Sequence, residues 1–286
     1  GSRGTRRPFG APLYLLDNRT LLRHTNCMIH VPSSEIVFNT RIKIYPNGLR
    51  EVLVCDQFIF KEKGWEESYS HAFELEDEGE AAKAAATDNL LRSKRRARAA
   101  ARDIALCSSF DFFVTFTLDQ KKIDRYDTRE ITRKLNRWLD NRVRRRGLRY
   151  LLVPELHKGG GVHFHGFVND VLQSKNSGHK TKRGQIIYNL PDWDFGFTTA
   201  VRLDGDYEKV VSYVCKYITK SADKVGGRWY YSGGDLSRPE IFYANTPFTF
   251  AAEGGYTINL PEAGFSMRLF RFSEKDAEKY FQLIYN

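Results

Sequence analysis

Residues 112–221 constrain the fold of this 286-residue chain more than any other stretch. They open with the run Phe-Phe-Val-Thr-Phe-Thr-Leu, whose aromatic and β-branched residues are typical of a central strand with both faces covered. Further signals predict a helix over 128–146, strands over 149–157, 162–168 and 197–203, and a helix over about 206–221. This order is similar to a split-βαβ arrangement with one extra strand. We therefore predict an α+β fold with an antiparallel central sheet flanked by helices and additions at both ends.

The flanking regions carry weaker signals. Two β-rich stretches around Pro46-Asn47-Gly48 predict a hairpin, and an alanine-rich segment predicts a helix over about 81–106. Polar sequence over 172–184 indicates a surface loop, short strands are indicated around 229–231 and 240–243, and a closing helix over 273–284. The expected organisation is an N-terminal extension with the hairpin (1–77), a central core (78–225) and a C-terminal extension that packs on the core (226–286).

Charge and cysteine content narrow the class of protein. The net charge of +10 and the pI near 9.4 suit a polyanionic partner such as nucleic acid. Apolar runs long enough to span a bilayer do not occur, so we expect no membrane partner. The four cysteines lack CxxC spacing, which favours reduced thiols inside a cell over a thiolate zinc site.

The alanine-rich helix carries many arginines. Arg92, Arg95 and Arg96 are candidates for contacts with DNA phosphates. A solvated helix face explains the same pattern, and the sequence leaves both interpretations open.

The predicted hairpin over 149–168 concentrates histidines. Side chains on a strand alternate between faces, so His163 and His165 share one face and Phe164 points to the other. Folding about the glycine run would place His157 opposite His163 and Glu155 opposite His165. Two imidazoles and a carboxylate can hold Mn²⁺ or Mg²⁺ with open positions. Glu155 is the preferred third ligand because a hard cation favours oxygen, and His157 is left to contact substrate DNA or to replace Glu155.

The predicted helix over 206–221 contains two tyrosines and two lysines at helical spacing. At 100° per residue Tyr213, Lys216, Tyr217 and Lys220 form one polar stripe, and the helix has a separate apolar face to bury. A tyrosine oxygen can attack a phosphodiester if nearby positive charge stabilises the transition state. The stripe therefore predicts catalytic residues acting on a DNA strand, with core packing of the tyrosines as the alternative.

Together these motifs resemble the HUH endonucleases, in particular rolling-circle replication initiators with a two-tyrosine motif like the gene A type initiators of small phages. The residues that carry the resemblance are the 113–118 strand, His163-Phe164-His165, and Tyr213 with Tyr217. The resemblance implies site-specific nicking and joining of single-stranded origin DNA, in a hairpin, through a 5′-phosphotyrosine. It also implies a phage or plasmid protein in the cytoplasm of a bacterial host.

Two departures and alternatives follow from the resemblance. The sequence lacks a helicase motif, so a host helicase and polymerase are the expected partners. A transposase or relaxase of the same mechanistic class would carry the same motifs. A non-catalytic module that binds single-stranded nucleic acid would explain the arginines and the aromatic residues 193, 195, 197, 229 and 231 by base stacking, although core packing explains most such aromatics.

Overall fold

The computed structural model describes residues 35–62, 80–156, 159, 161–221, 223–245, 255–260, 265–273 and 276. Within them the chain forms two antiparallel sheets and three helices, which confirms the predicted fold class. The helices are α1 (Glu80–Cys107), α2 (Thr128–Arg146) and α3 (Tyr207–Lys220). The strands are β1 (Glu35–Ile44), β2 (Arg50–Glu62), β3 (Phe112–Leu118), β4 (Tyr150–Leu156), β5 (Val162–Val168), β6 (Lys175–Lys180), β7 (Ile186–Asn189), β8 (Gly196–Arg202), β9 (Tyr231–Gly233), β10 (Glu240–Ala244), β11 (Tyr256–Leu260) and β12 (Phe265–Phe272).

The larger sheet has seven strands in the order β6-β7-β8-β3-β5-β4-β9. Burial along β3 alternates, because Phe112, Val114 and Phe116 pack into one core while the residues between them face the other side. Helix α2 covers the first face with a cluster that includes Leu135 and Trp138. Helices α1 and α3 join a second core on the opposite face. The sheet is therefore sandwiched between helices, and each face is defined by strand alternation.

Helix ends follow local chemistry. The Asp127 side chain accepts hydrogen bonds from the backbone N–H groups of Arg129 and Glu130, and Gly147 ends α2 with φ of 67°, so the observed bounds agree with the predicted 128–146. Asp206 caps α3 in the same way through the N–H of Lys209. Hydrogen bonding to Lys209 lowers the pKa of Asp206 below its usual value. The cap sets where α3, and hence its tyrosine stripe, begins.

The smaller sheet joins strands from both ends of the chain in the order β10-β1-β2-β12-β11. The hairpin of β1 and β2 turns at Pro46-Asn47-Gly48, as predicted. Polar contacts attach the sheet to α1: Lys43 lies 2.6 Å from Asp103, and Arg102 lies 3.1 Å from Glu51. Pairing between ends distant in sequence has no local signal. The expected three-part organisation of the chain stays a prediction.

The surface loop predicted over 172–184 is wrong. Residues Lys175–Lys180 form β6, which pairs with β7 through a turn closed by the Gly184 N–H and the Thr181 carbonyl at 2.9 Å. Both faces of β6 are largely exposed, so it shows no apolar alternation, and polar composition misled the prediction. The predicted closing helix over 273–284 lies outside the described residues except for 273 and 276.

We expect Gly166→Ala to destabilise the protein, because a Cβ atom at this position would overlap the Leu151 carbonyl of the adjacent strand. Backbone cannot move aside as a flexible side chain can, so the free energy of unfolding should fall by about 2–3 kcal/mol. Chemical denaturation measures the change. Gly159→Ala is the control, since nothing lies within 4 Å of its Cβ position. Equal stability of both variants would contradict the expected close approach of β4 and β5.

Candidate active site

Two rows of side chains cross the α3-facing side of the larger sheet. The registers pair β8 with β3, β3 with β5 and β5 with β4, so each row takes one residue from each strand. We call this surface the histidine face. In the order β8, β3, β5 and β4, the first row is Phe197, Thr117, His163 and Glu155, and the second is Thr199, Thr115, His165 and Val153.

The predicted hairpin register is wrong by two residues. Glu155 lies opposite His163, and Val153 lies opposite His165. The shift is even, so the faces are preserved. The Glu155 carboxylate reaches diagonally to His165, with Oε2 at 2.7 Å from Nε2. The predicted neighbours Glu155 and His165 therefore meet, although their strands pair differently, and His157 lies outside the described residues.

Two threonines of β3 hold the histidine rings. The Thr115 hydroxyl lies 3.1 Å from Nδ1 of His165, and the Thr117 hydroxyl lies 3.3 Å from Nδ1 of His163. A second partner on one ring nitrogen orients the imidazole and selects its tautomer. The sequence analysis did not assign these threonines a role. Their alternation with the buried aromatics of β3 was the available signal, since it places both on one face.

The donor set of the histidine face bears on metal binding. Within the part of the chain that the structure describes, no three His, Cys, Asp or Glu side chains converge as a metal cluster. The Glu155 carboxylate is instead in direct contact with His165. The donor chemistry nevertheless fits a divalent cation: with the proton on Nδ1, the Nε2 lone pair of His165 faces a carboxylate oxygen, and ligand bonds of about 2.1 Å need only a small increase in their separation. The metal ligands Glu155, His163 and His165 stay a prediction.

The two tyrosines meet above the histidine face. Their hydroxyl oxygens are 2.6 Å apart, and their rings are nearly perpendicular with centroids 5.3 Å apart. The Tyr217 ring stacks on His165 at a centroid distance of 4.2 Å and an interplanar angle of 8°. Tyr213 rests its ring against Phe113 at 6.0 Å. Helix α3 thus brings both phenols to the histidine–carboxylate pair.

The tyrosines differ in environment. Tyr213 is 49% exposed, whereas Tyr217 is 9% exposed, so the expectation that the helix buries only its separate apolar face is wrong for Tyr217. Its flat ring covers His165, a contact that helix angles alone do not reveal. Burial, followed by the hydrogen bond with Tyr213 and the charge of Glu155, raises the pKa of Tyr217 above its usual value. This phenol is therefore protonated at neutral pH in this arrangement.

Positive charge lies beside the phenols. Lys216 and Lys220 are exposed on α3, and the Lys220 ammonium lies 6.0 Å from the Tyr217 ring centroid. Helix α1 runs antiparallel to α3, because Ala105 contacts Tyr207 and Arg98 contacts Cys215. The arginine-rich part of α1 consequently lies toward the end of α3 that carries Lys220. The predicted DNA contacts Arg92, Arg95 and Arg96 are exposed there, on the helix adjacent to the one that carries the tyrosines.

The aromatic residues considered for base stacking separate into two groups. Trp193, Trp229 and Tyr231 are buried in the two cores, as expected for most of them. Phe197 is 68% exposed in the same row as His163. Strand spacing places it two strands, or about 10 Å, from that histidine. Phe197 is a candidate contact that the sequence could not separate from the core aromatics.

Comparison with known proteins identifies a family for the region that holds the site. Residues 111–222 match the family model of replication-associated proteins of the ORF2 type. The match runs from β3 through α3, covers less than half of the chain, and supports a rolling-circle replication initiator family for this region. Searches among curated proteins and solved structures found no match. Of the helices that the structure describes, none has the length and apolar character needed to cross a membrane.

Proposed function

We propose that the protein initiates rolling-circle replication by nicking and rejoining single-stranded origin DNA through a 5′-phosphotyrosine intermediate. The observation that carries the proposal is the contact of two tyrosine hydroxyls, 2.6 Å apart, above the pair formed by His165 and Glu155. The family match of residues 111–222 supports the same function independently of this geometry. Replication initiation is favoured over transposition or plasmid transfer because the matched family is described as replication-associated.

The chemistry follows from the phenols. A tyrosine oxygen attacks the phosphorus, the bond from phosphorus to the 3′ oxygen breaks, and the 5′ phosphate stays on the tyrosine. The phenol loses a proton and the departing 3′ oxygen gains one, so atoms and charge balance. Lys216 and Lys220 stabilise the negative charge that develops on the phosphate. A second tyrosine within hydrogen-bond distance can attack a new phosphodiester while the first remains esterified.

The histidine face positions the substrate. Thr115 and Thr117 hold His165 and His163 at their Nδ1 atoms, which leaves Nε2 as the ligand atom for a cation. Mn²⁺ or Mg²⁺ held by His163, His165 and Glu155 would polarise the scissile phosphate. The basic face of α1 contributes affinity for the backbone, and Phe197 offers a ring on which an unpaired base can stack. A host helicase and polymerase would supply unwinding and synthesis in the bacterial cytoplasm.

The test is incubation of the full chain with circular single-stranded DNA of the genetic element that encodes it, in Mn²⁺. We expect a covalent protein–DNA adduct on a denaturing gel, and its loss when EDTA is added. Binding without an adduct under any divalent metal would favour the alternative, a module that only binds single strands. Cleavage at element ends rather than at the origin would reassign the protein to transposition.

A further inference from the structure

A groove opens on the side of Tyr213 that faces away from the histidines. It encloses about 450 Å³ between the turn of the β6–β7 hairpin, the end of β8 and the first half of α3. We call it the hairpin groove and define it by six of its lining residues: Phe113, Lys182, Arg183, Val201, Val210 and Tyr213. Neither the proposed metal ligands nor the lysines of α3 line it.

The floor of the groove is apolar and aromatic. Phe113 and Val201 are paired across β3 and β8, and Val210 adds a third apolar side chain from α3. Tyr213 closes one side, with its ring edge toward Phe113. Flat apolar surfaces of this kind accept a nucleobase by stacking and exclude water from its faces.

The rim of the groove carries positive charge. Lys182 and Arg183 are exposed at the hairpin turn, and neither forms an ion pair with any residue the structure describes. The turn is ordered by backbone hydrogen bonds between Thr181 and Gln185 at 2.8 Å and between Gly184 and Thr181 at 2.9 Å. One acid, Asp204, also lines the groove, and it accepts a hydrogen bond from the Gln185 amide. An apolar floor beneath two available cations suits a base joined to a phosphate.

We propose that the hairpin groove binds the nucleotide beside the phosphodiester that is cut. Its base lies against Phe113 and Val201, and its phosphate contacts Lys182 and Arg183. The proposal rests on the proposed function, because Tyr213 lines the groove and also belongs to the tyrosine pair. The occupant is a residue of the DNA strand rather than a free nucleotide, since the groove continues directly to the proposed nucleophile.

The experiment measures binding without cleavage. Fluorescence anisotropy in EDTA follows full-length protein on labelled single-stranded oligonucleotides in which one abasic site is moved position by position. We expect one position, within two nucleotides of the cut mapped in Mn²⁺, to lower affinity about tenfold because one stacked base is lost. Excess deoxynucleoside monophosphate should not displace the strand. Equal sensitivity at all positions, or displacement by the free nucleotide, would overturn the proposal.

Variants then connect the effect to the groove. Lys182→Ala/Arg183→Ala should weaken binding and lower the salt-dependence slope by about two, because two phosphate contacts are lost. The matched control Arg137→Ala/Arg145→Ala removes two exposed cations from α2 on the opposite side of the sheet and should leave the slope nearly unchanged. Equal effects of the two pairs would count against the groove.

The outcomes separate the two proposals. If Mn²⁺ yields an adduct but both pairs behave alike, the groove assignment alone is wrong. If no adduct forms but the abasic and charge effects persist, the groove stands as a binding site and the nicking proposal fails.

Discussion

Tyr213→Phe/Tyr217→Phe is expected to abolish the covalent adduct with origin DNA. Phenylalanine keeps both rings, including the stack on His165, and removes only the two oxygens that can attack phosphorus. Adduct formation should therefore fall below detection while the free energy of unfolding changes by about 1 kcal/mol for the lost hydrogen bond. A denaturing gel measures the adduct, and an adduct that persists would remove the tyrosines as nucleophiles.

The single variants should differ. Tyr213 is half exposed and Tyr217 is buried, so we expect the first adduct on Tyr213, with each single Tyr→Phe variant retaining some cleavage and losing coupled rejoining. Mass spectrometry of the adduct identifies the residue. Tyr256→Phe is the matched control, because Tyr256 is 50% exposed, like Tyr213 at 49%, but lies on β11 of the smaller sheet. Adducts found always on one tyrosine, with full rejoining in the other variant, would reduce the site to one nucleophile.

His163→Ala and His165→Ala are each expected to lower cleavage by at least about a hundredfold while leaving most DNA affinity. Phosphate contacts from the basic surface supply binding, whereas the imidazoles position the reacting phosphate. The two variants should differ in stability, because His165 is buried under the Tyr217 ring and its loss leaves a cavity. Cleavage assays and anisotropy on the same oligonucleotide measure both quantities, and EDTA should mimic the loss of cleavage.

Glu155→Gln distinguishes a metal ligand from a support for His165. The amide can still hydrogen-bond the imidazole, so a purely structural role predicts near wild-type cleavage at any Mn²⁺ concentration. A ligand role predicts weakened cleavage that raised Mn²⁺ partly restores. We expect the second result, with a smaller effect for His157→Ala. The reverse order would assign the third ligand to His157, and wild-type cleavage by a histidine variant would exclude the metal site as drawn.

Local signals predicted the parts of the site but not their assembly. The capping residue Asp127 and the terminal Gly147 were sufficient to place α2, and strand alternation placed His163 and His165 on one face. The same alternation could not show which residue of β4 lies opposite each histidine. Register depends on the turn that joins the strands and on the neighbouring strand β3, so the prediction missed by two residues.

Residues far apart in sequence show the same division. Thr115 and Thr117 contact the histidines only because β3 pairs with β5, a neighbour by topology rather than by sequence. Tyr217 is buried because α3 lies on β4 and β5, where His165 offers a flat surface. Phe197 is exposed because it lies on β8, whereas nearby Trp193 packs into the core. Periodicity assigns a face but does not say whether another element covers it.

The sequence by itself determined the α+β class, the helices of the core and the histidine and tyrosine motifs, because capping, turn residues and side-chain period act over a few residues. Only the tertiary structure decided the β4–β5 register, the stacking of Tyr217 on His165 and the union of both chain ends in one sheet. These features arise from contacts between distant segments. Their energies depend on which surfaces meet, and a local pattern contains no information about that choice.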